Sequence, residues 1–107
     1  MKYAIAYLPS ALEDLKEIVR YIAHTLQNPK AAERLGLEII KKTDLLADFP
    51  YSAPRYTPIK PLEYEYRKLL VKNYFVFYRI DETKKTVTVA RVIYAKRNTA
   101  SVETKDL

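Results

Sequence analysis

The pattern of apolar positions predicts a first helix that begins after Pro9 and ends near Gln27. Ser10 stands three residues before Glu13, which is the spacing of a capping box at a helix start. Apolar residues then recur at steps of three and four residues, so they form a stripe along one face of the helix. The stripe consists of Leu12, Leu15, Ile18, Val19, Ile22, Ala23 and Leu26.

A second helix is predicted from Asn28 and Pro29 out to about Asp48, with Pro50 closing it. Asn caps the unpaired amides of a first turn, and Pro is preorganised for the first helical position. Its apolar face consists of Ala32, Leu35, Ile39, Leu46 and Phe49. Because the connection between the two helices is short, they must form an antiparallel hairpin.

The rest of the chain alternates as strands do. The weak alternation of Lys2–Leu8 predicts a short strand, and Tyr51–Pro61, with three prolines, predicts an irregular crossing loop. Three strand candidates follow at roughly 62–71, 73–81 and 86–95, and "DETKK" between the last two reads as a hairpin turn. We therefore expect an α+β domain: an N-terminal strand, a helical hairpin on one face, and a three-stranded antiparallel meander.

The middle strand, "NYFVFYRI", has two different faces. Alternation places Tyr74, Val76, Tyr78 and Ile80 on one side, which suits the helices. The other side carries Phe75, Phe77 and Arg79. Two phenylalanines would then lie beside an arginine on an open face, unless a loop or a partner covers them.

Composition limits the class of protein. A chain of 107 residues, 49% of them hydrophobic, suits one domain with a real core, which we expect over 1–98 with a tail over 99–107. With no cysteine and one histidine, we expect neither a disulfide nor a metal site, and no cofactor is implied. No apolar run approaches the roughly 18 residues that span a bilayer, so we expect a cytoplasmic protein.

The positive charge is concentrated in one part of the chain. Residues 1–54 carry seven Lys or Arg and seven Asp or Glu, whereas residues 55–98 carry eleven and four. Such a concentration favours an anionic partner for the second part. In the first helix Glu13, Asp14 and Glu17 suit the positive end of the dipole, and we assign them no catalytic role.

The closing stretch "VTVARVIYAKRN" ends in a tyrosine and a group of cations. Either the strand emerges into water there, or the cations are aimed at phosphate. Tyr94 could exchange protons in RNA cleavage if nearby cations lowered its pKa, although such a ring is more often simply packed.

Three blocks, in this order, resemble the RelE/ParE superfamily of toxins from bacterial type II toxin–antitoxin pairs. They are "LPSALEDLKEIVRYIA" (Leu8–Ala23), "YRKLLVKNYFVFYRID" (Tyr66–Asp81) and "VTVARVIYAKRN" (Val87–Asn98). The resemblance spans nearly the whole chain. It implies either of two activities: RelE-like members cut messenger RNA in the ribosomal A site without a metal, and ParE-like members inhibit DNA gyrase without chemistry of their own.

The resemblance also implies candidate residues. RelE-type enzymes use cations on the first meander strand and after the closing strand, where this chain has Arg67, Lys68 and Arg97. It departs from them at Phe75, where they carry an arginine, and near Glu103, where they carry a tyrosine base. The catalytic candidates are therefore Arg67, Arg97 and, as a replacement base, Tyr94. The candidates for binding nucleic acid or another target are Lys68, Lys72, Arg79, Arg91 and Lys96.

The superfamily further implies a cognate antitoxin, with an acidic C-terminal segment, that silences the toxin. Phe75 and Phe77 are either a platform for bases or, as we prefer, the landing site of that antitoxin. The expected targets are the ribosome with its mRNA, or DNA gyrase. A basic RNA-binding module without toxicity is the third possibility.

Overall fold

The computed structural model describes residues 2–57 and 63–96, in which two helices pack on one face of a four-stranded sheet. In chain order the elements are β1 (Ala4–Tyr7), α1 (Pro9–Arg20), a π-helical turn (Tyr21–Thr25), α2 (Pro29–Asp44), a 3₁₀ turn (Leu45–Ala47), β2 (Arg67–Val71), β3 (Tyr74–Asp81) and β4 (Thr86–Tyr94). In the described ranges no helix is long and apolar enough to cross a membrane.

The sheet confirms the predicted α+β class. Its strand order is β1-β4-β3-β2, with β2, β3 and β4 forming the expected antiparallel meander. The N-terminal strand β1 adds to the sheet parallel to β4, with Ala4 opposite Thr86 and Tyr7 opposite Val89. The strand β2 begins at Arg67, later than the alternation predicted.

The predicted capping box is wrong. The helix α1 begins two residues earlier, with Leu8 at the cap position and Pro9 in the first turn, and no side chain caps it. Proline has no backbone N–H, so at the first helical position it leaves no amide that a capping side chain would have to satisfy. The hydroxyl of Ser10 donates instead to the carbonyl of Ala90 on β4, at 2.7 Å. The second start is confirmed, because Asn28 Oδ1 accepts from the amide of Ala31 at 3.2 Å.

The first helix also ends differently from the prediction. Regular α-helix stops at Arg20, and the next turn, Tyr21–Thr25, is π-helical. Gln27 then takes a left-handed conformation with φ of 52° before α2 begins. Single π-helical turns are frequently found at functional sites.

The main core lies between the helices and the sheet, as predicted for this face of β3. Val76 and Tyr78 are 0% exposed there, with Tyr74 and Ile80 packed at its margins. The hydroxyl of Tyr78 donates to the carbonyl of Pro50 at 2.7 Å. The helices and β4 complete this core with Ala11, Ile39, Leu46, Val87, Val89 and Val92.

The opposite face of the sheet is not left open, because the loop after α2 folds over it. Tyr56 and Tyr66 cover Phe77, which is 0% exposed, and the rings of Tyr56 and Phe77 lie 5.0 Å apart. The loop is held along the outer edge of β2: the amide of Tyr56 donates to Tyr66, and that of Lys68 to Pro54. A second, smaller and more aromatic core results.

Candidate functional site

Two cations lie over aromatic rings on the face of the sheet opposite the helices. Lys68 stands opposite Phe77 in the β2–β3 ladder, and its Nζ lies 4.6 Å from the ring centroid of Phe75. The guanidinium of Arg79 lies 4.1 Å from the ring centroid of Tyr64. We call Lys68, Phe75, Tyr64 and Arg79 the open-face patch.

The rings hold these cations in place without neutralising them. Arg79 also donates to the hydroxyl of Tyr66, at 3.4 Å, which is a long and weak contact. Attraction between a cation and a ring face orients the side chain while its charge still acts on an incoming anion. The open-face patch therefore combines positive charge with flat rings, which suits a binding surface for a charged macromolecule.

Three of the candidate residues, Arg67, Arg79 and Tyr94, do not come together in the structure. Arg67 stands opposite Tyr78, so it belongs to the helix side of the sheet, whereas Arg79 belongs to the other side. Tyr94 pairs with Tyr74, five residues before Arg79, which is roughly 17 Å away at about 3.4 Å per residue. Arg97 lies outside the described residues.

Arg67 is engaged within the fold. Its Nη1 donates to the carbonyl of Ala53 at 2.7 Å, and its guanidinium lies 5.0 Å from the ring centroid of Tyr51. A carboxylate oxygen of Glu65 is 3.7 Å from its Nη2, and the side chain is 17% exposed. Arg67 thus fastens the loop after α2 to the sheet, which argues against a catalytic role.

Arg91, which the sequence analysis named as a candidate for target binding, is engaged within the fold, for a reason that lies in β4. Its Nε and Nη2 donate to the two carboxylate oxygens of Asp14 at 2.7 and 2.9 Å, and both side chains are mostly buried. The strand carries one extra residue, Ala90, between the pairs Tyr78–Val89 and Phe77–Arg91. No signal in the sequence indicated this bulge, so Asp14 was missed as a structural partner.

Tyr94 lies at the mouth of a groove. It is 43% exposed, and its ring lies 5.5 Å from that of Tyr74. Burial raises the pKa of Tyr74, and the nearby hydroxyls of Tyr94 and Tyr21 add to this. The groove, which we call the tyrosine groove, runs between the end of α1 and the ends of β3 and β4 and has a volume of about 760 Å³.

The remaining predicted residues are distributed as follows. Lys72 lies exposed in the β2–β3 turn with φ of 55° and lines the tyrosine groove, and Lys96 lies exposed just after β4. Phe75 is half-buried beneath Lys68. Phe77 is unavailable to a partner while the loop covers it, because residues 54–56 pair with the edge of β2.

A separate cluster ties together three segments at the other end of the sheet. Glu82 accepts hydrogen bonds from Tyr3 at 2.7 Å, from Lys85 at 2.8 Å and from Tyr51. The bonds from Lys85, Tyr51 and Tyr3, in that order, lower the pKa of Glu82 to about 2. The cluster joins β1, the loop after α2 and the β3–β4 turn.

The elements and surfaces described above make up a small α+β domain. A family model described as the ParE toxin of the type II toxin–antitoxin system parDE matches residues 5–99, and the chain belongs to that family. The protein is therefore a toxin of a type II toxin–antitoxin module. No sequence among curated proteins matches it significantly.

Solved structures share the fold at low sequence identity. A chain of the chromosomal ParDE system of P. aeruginosa is 16% identical, with a TM-score of 0.72 over 89% of this chain and 98% of that one. A chain of the RelBE2 complex of Mycobacterium tuberculosis is 19% identical, with a TM-score of 0.61 over 90% and 95%. A chain of the archaeal RelE–RelB complex of Pyrococcus horikoshii is 14% identical, with a TM-score of 0.63 over 91% and 99%.

Proposed function

We propose that the protein is a ParE-type toxin that inhibits DNA gyrase by binding it, with no chemistry of its own. The observation that carries this proposal is the separation of the nuclease candidates. Cleavage by attack of a 2′-hydroxyl needs a base, an acid and cations around one phosphate. Here Arg67 fastens the loop after α2 and stands opposite Tyr78, whereas Tyr94 lies in the tyrosine groove beside Tyr74, at the other end of β3.

The open-face patch is the proposed contact with the target. Lys68 and Arg79 project from one side of the sheet, each over a ring, in the segment that carries the excess of positive charge. Arginine and aromatic side chains, such as Arg79 and Tyr64, are enriched at the centres of protein interfaces. Phe75 occupies the position at which RelE-type nucleases carry an arginine, and beneath Lys68 it contributes contact area rather than charge.

A cognate antitoxin completes the proposed module. The solved relatives include a ParDE system and two RelBE or RelE–RelB complexes, in which a toxin is held by its antitoxin. We propose that this toxin, too, is held by an acidic antitoxin, and that it acts in the cytoplasm, where gyrase works. We retain Phe75 as a proposed contact of the antitoxin.

An induction experiment tests the activity. The protein is expressed from a tight promoter, and bulk translation, DNA supercoiling and the SOS response are followed together. We expect loss of supercoiling and cleaved gyrase–DNA complexes while mRNA stays intact in the ribosomal A site. Early A-site cuts with normal supercoiling would instead establish the ribosome-dependent nuclease, the alternative to which the cations and rings of the open-face patch are also suited.

Matched variants connect the activity to the surface. Lys68→Gln combined with Arg79→Gln removes both cations of the open-face patch, and Lys41→Gln combined with Lys42→Gln removes two exposed cations from α2. The first pair should abolish growth arrest at equal expression, and the second should leave it unchanged. Equal toxicity of the two double variants would contradict the assignment of the open-face patch.

A further inference from the structure

In the described part of the chain, the outer edge of β2 is paired only at its beginning. Residues 54–56 of the loop after α2 lie along that beginning, and the amide of Lys68 donates to the carbonyl of Pro54 at 3.1 Å. On the other side of Pro54 the loop turns away from the edge, because the amide of Ser52 donates back to the carbonyl of Phe49 at 3.1 Å. The rest of the edge therefore has no partner from this loop.

The next backbone groups along this edge point away from the sheet. In an antiparallel strand, residues that point outward alternate with residues bonded to the neighbouring strand. Lys68 donates outward to Pro54, so the carbonyl of Lys68 and both the amide and the carbonyl of Leu70 also point outward. No hydrogen bond from residues 2–57 or 63–96 reaches these three groups. They form a short sheet edge of the kind that pairs with another strand.

An apolar side chain lies exposed in the middle of this edge. Leu70 is 57% exposed and stands opposite Phe75 in the β2–β3 ladder, so it lies on the face of the sheet that carries the open-face patch. Lys68, two residues earlier on the same face, belongs to that patch. The unpaired edge of β2 is thus continuous with the surface proposed above as the contact with gyrase.

The charges along the edge favour an acidic strand. Arg55, Lys68 and Lys72 lie before, within and after it, and Glu65 already has a cationic partner because it is 3.7 Å from Arg55. The same cations oppose pairing between two copies of this chain. Antiparallel edges centred on Leu70 would set Lys68 opposite Lys72 of the other copy, and like charges in opposite positions are destabilising. An extended segment that carries carboxylates is attracted instead.

We propose that an extended acidic segment of DNA gyrase adds as a strand to the outer edge of β2 at Lys68 and Leu70. Its backbone bonds to the three outward-pointing groups, an apolar side chain packs on Leu70 and Phe75, and its carboxylates meet Lys68 and Lys72. Main-chain bonds of this kind supply affinity, and the flanking side chains supply specificity. The inference rests on the proposed function and deepens it, because it names how the target is held beside the open-face patch.

A proline variant tests the backbone bond directly. Leu70→Pro removes an N–H that points away from β3, so the hydrogen bonds between β2 and β3 are kept. The purified variant is titrated into DNA gyrase with relaxed plasmid, and the concentration that halves supercoiling should rise at least about tenfold. Leu70→Ala keeps the N–H and loses only the side chain, so it should raise that concentration by less. Thermal unfolding of both variants checks that they are folded.

Hydrogen exchange measured by mass spectrometry locates the contact. The toxin is exchanged alone and in complex with gyrase, and its peptic fragments are compared. Fragments that contain Leu70 should exchange more slowly in the complex, because its amide gains a bond there. Fragments of β1, at the opposite edge of the sheet, should exchange at the same rate in both samples.

Two matched pairs of variants test the side chains and keep the proposal falsifiable if proline unfolds the protein. Leu70→Glu should raise the half-inhibiting concentration at least about tenfold, whereas Leu37→Glu, on a comparably exposed leucine of α2, should not change it. Lys72→Glu should raise it about twofold to fivefold. Lys84→Glu, in the turn between β3 and β4, should have no effect.

Two kinds of failure are distinguishable. If Leu70→Pro and Leu70→Glu inhibit gyrase as strongly as the parent, or if exchange at Leu70 is unchanged, the edge assignment is wrong although gyrase inhibition stands. If the parent protein itself does not inhibit gyrase, the proposed function fails and this inference fails with it.

The same variants exclude the other occupants of the edge. Calorimetry should show that Leu70→Glu binds the cognate antitoxin as tightly as the parent does. Loss of antitoxin binding together with full gyrase inhibition would assign the edge to the antitoxin and overturn the proposal. Sedimentation should show no toxin dimer, and a dimer that Leu70→Glu dissociates would assign the edge to a second copy and overturn it equally.

Discussion

Phe77 and Tyr78 are adjacent residues of β3 and are both 0% exposed, but the two faces of the sheet cover them differently. Tyr78 is buried under two helices in a mainly aliphatic core. Phe77 is buried by two tyrosines from a single loop and its neighbouring strand, next to two cations that remain at the surface. One face is therefore covered by two helices, whereas the other is covered by a single loop and carries Lys68 and Arg79 beside aromatic rings.

The largest expected effect tests whether the loop after α2 buries Phe77. Phe77→Ala should lower the free energy of unfolding by about 3–5 kcal/mol, as for other buried aromatic rings. Phe75→Ala, on the same face but half-buried, should cost clearly less. Urea denaturation of both variants measures the difference. Equal and small losses would mean that the loop does not stay on this face.

A second variant tests the contact between Asp14 of α1 and the strand β4. Asp14→Ala removes the partner of Arg91 and of the Val92 amide, so it should cost about 2–4 kcal/mol. The neighbouring and exposed Glu13→Ala should change stability by less than about 0.5 kcal/mol. Thermal unfolding of the two variants at the same pH measures the difference in stability. Similar melting temperatures would contradict the bidentate contact between Arg91 and Asp14.

A smaller loss is expected at the same contact from Ser10→Ala. This change removes one hydrogen bond to the carbonyl of Ala90 and should cost about 1 kcal/mol. If Ser10 instead capped α1 as the sequence suggested, Ser10→Gly would be nearly neutral relative to Ser. Urea denaturation of Ser10→Ala and Ser10→Gly distinguishes the two cases, because a lost bond to β4 makes both variants less stable.

The smallest effect is expected at Glu82, which accepts a hydrogen bond from Tyr51 in the loop after α2. The pKa of Glu82 is lowered from 4.5 to about 2, so its contribution to stability is present above pH 4.5 and is lost as pH falls towards 2. Glu82→Gln should lower the melting temperature slightly at neutral pH. The difference in melting temperature between the variant and the parent should disappear as pH falls from 4.5 towards 2. A difference that stays constant with pH would contradict the lowered pKa of Glu82.

Much of the fold could be predicted because it depends on local patterns. The stripes of the two helices, the Asn28 cap and the alternation along β3 are each set by residues close in the chain. The start of α1 could not be predicted, because Ser10 bonds to Ala90, eighty positions away. That residues 54–56 cover the second face of the sheet could not be predicted either. An irregular loop has no repeating pattern of apolar residues from which its position could be read.

The candidate site was predicted less well than the fold. The alternation along β3 placed Phe75, Phe77 and Arg79 correctly on one face, because strand alternation is reliable over such short distances. Arg67 was named from the resemblance to RelE-type enzymes, and Arg91 as a cation for target binding. The side of the sheet on which Arg67 lies, and the bulge that pairs Arg91 with Asp14, depend on the three-dimensional register of the strands.

One titration tests the central claim, that this toxin acts by binding through the open-face patch. Purified toxin is added to DNA gyrase and relaxed plasmid, and the concentration that halves supercoiling is measured. We predict inhibition by the parent protein and by Lys41→Gln/Lys42→Gln, and at least about tenfold weaker inhibition by Lys68→Gln/Arg79→Gln, equivalent to 1.4 kcal/mol. Undiminished supercoiling at every toxin concentration, together with mRNA cut on programmed ribosomes, would contradict the claim.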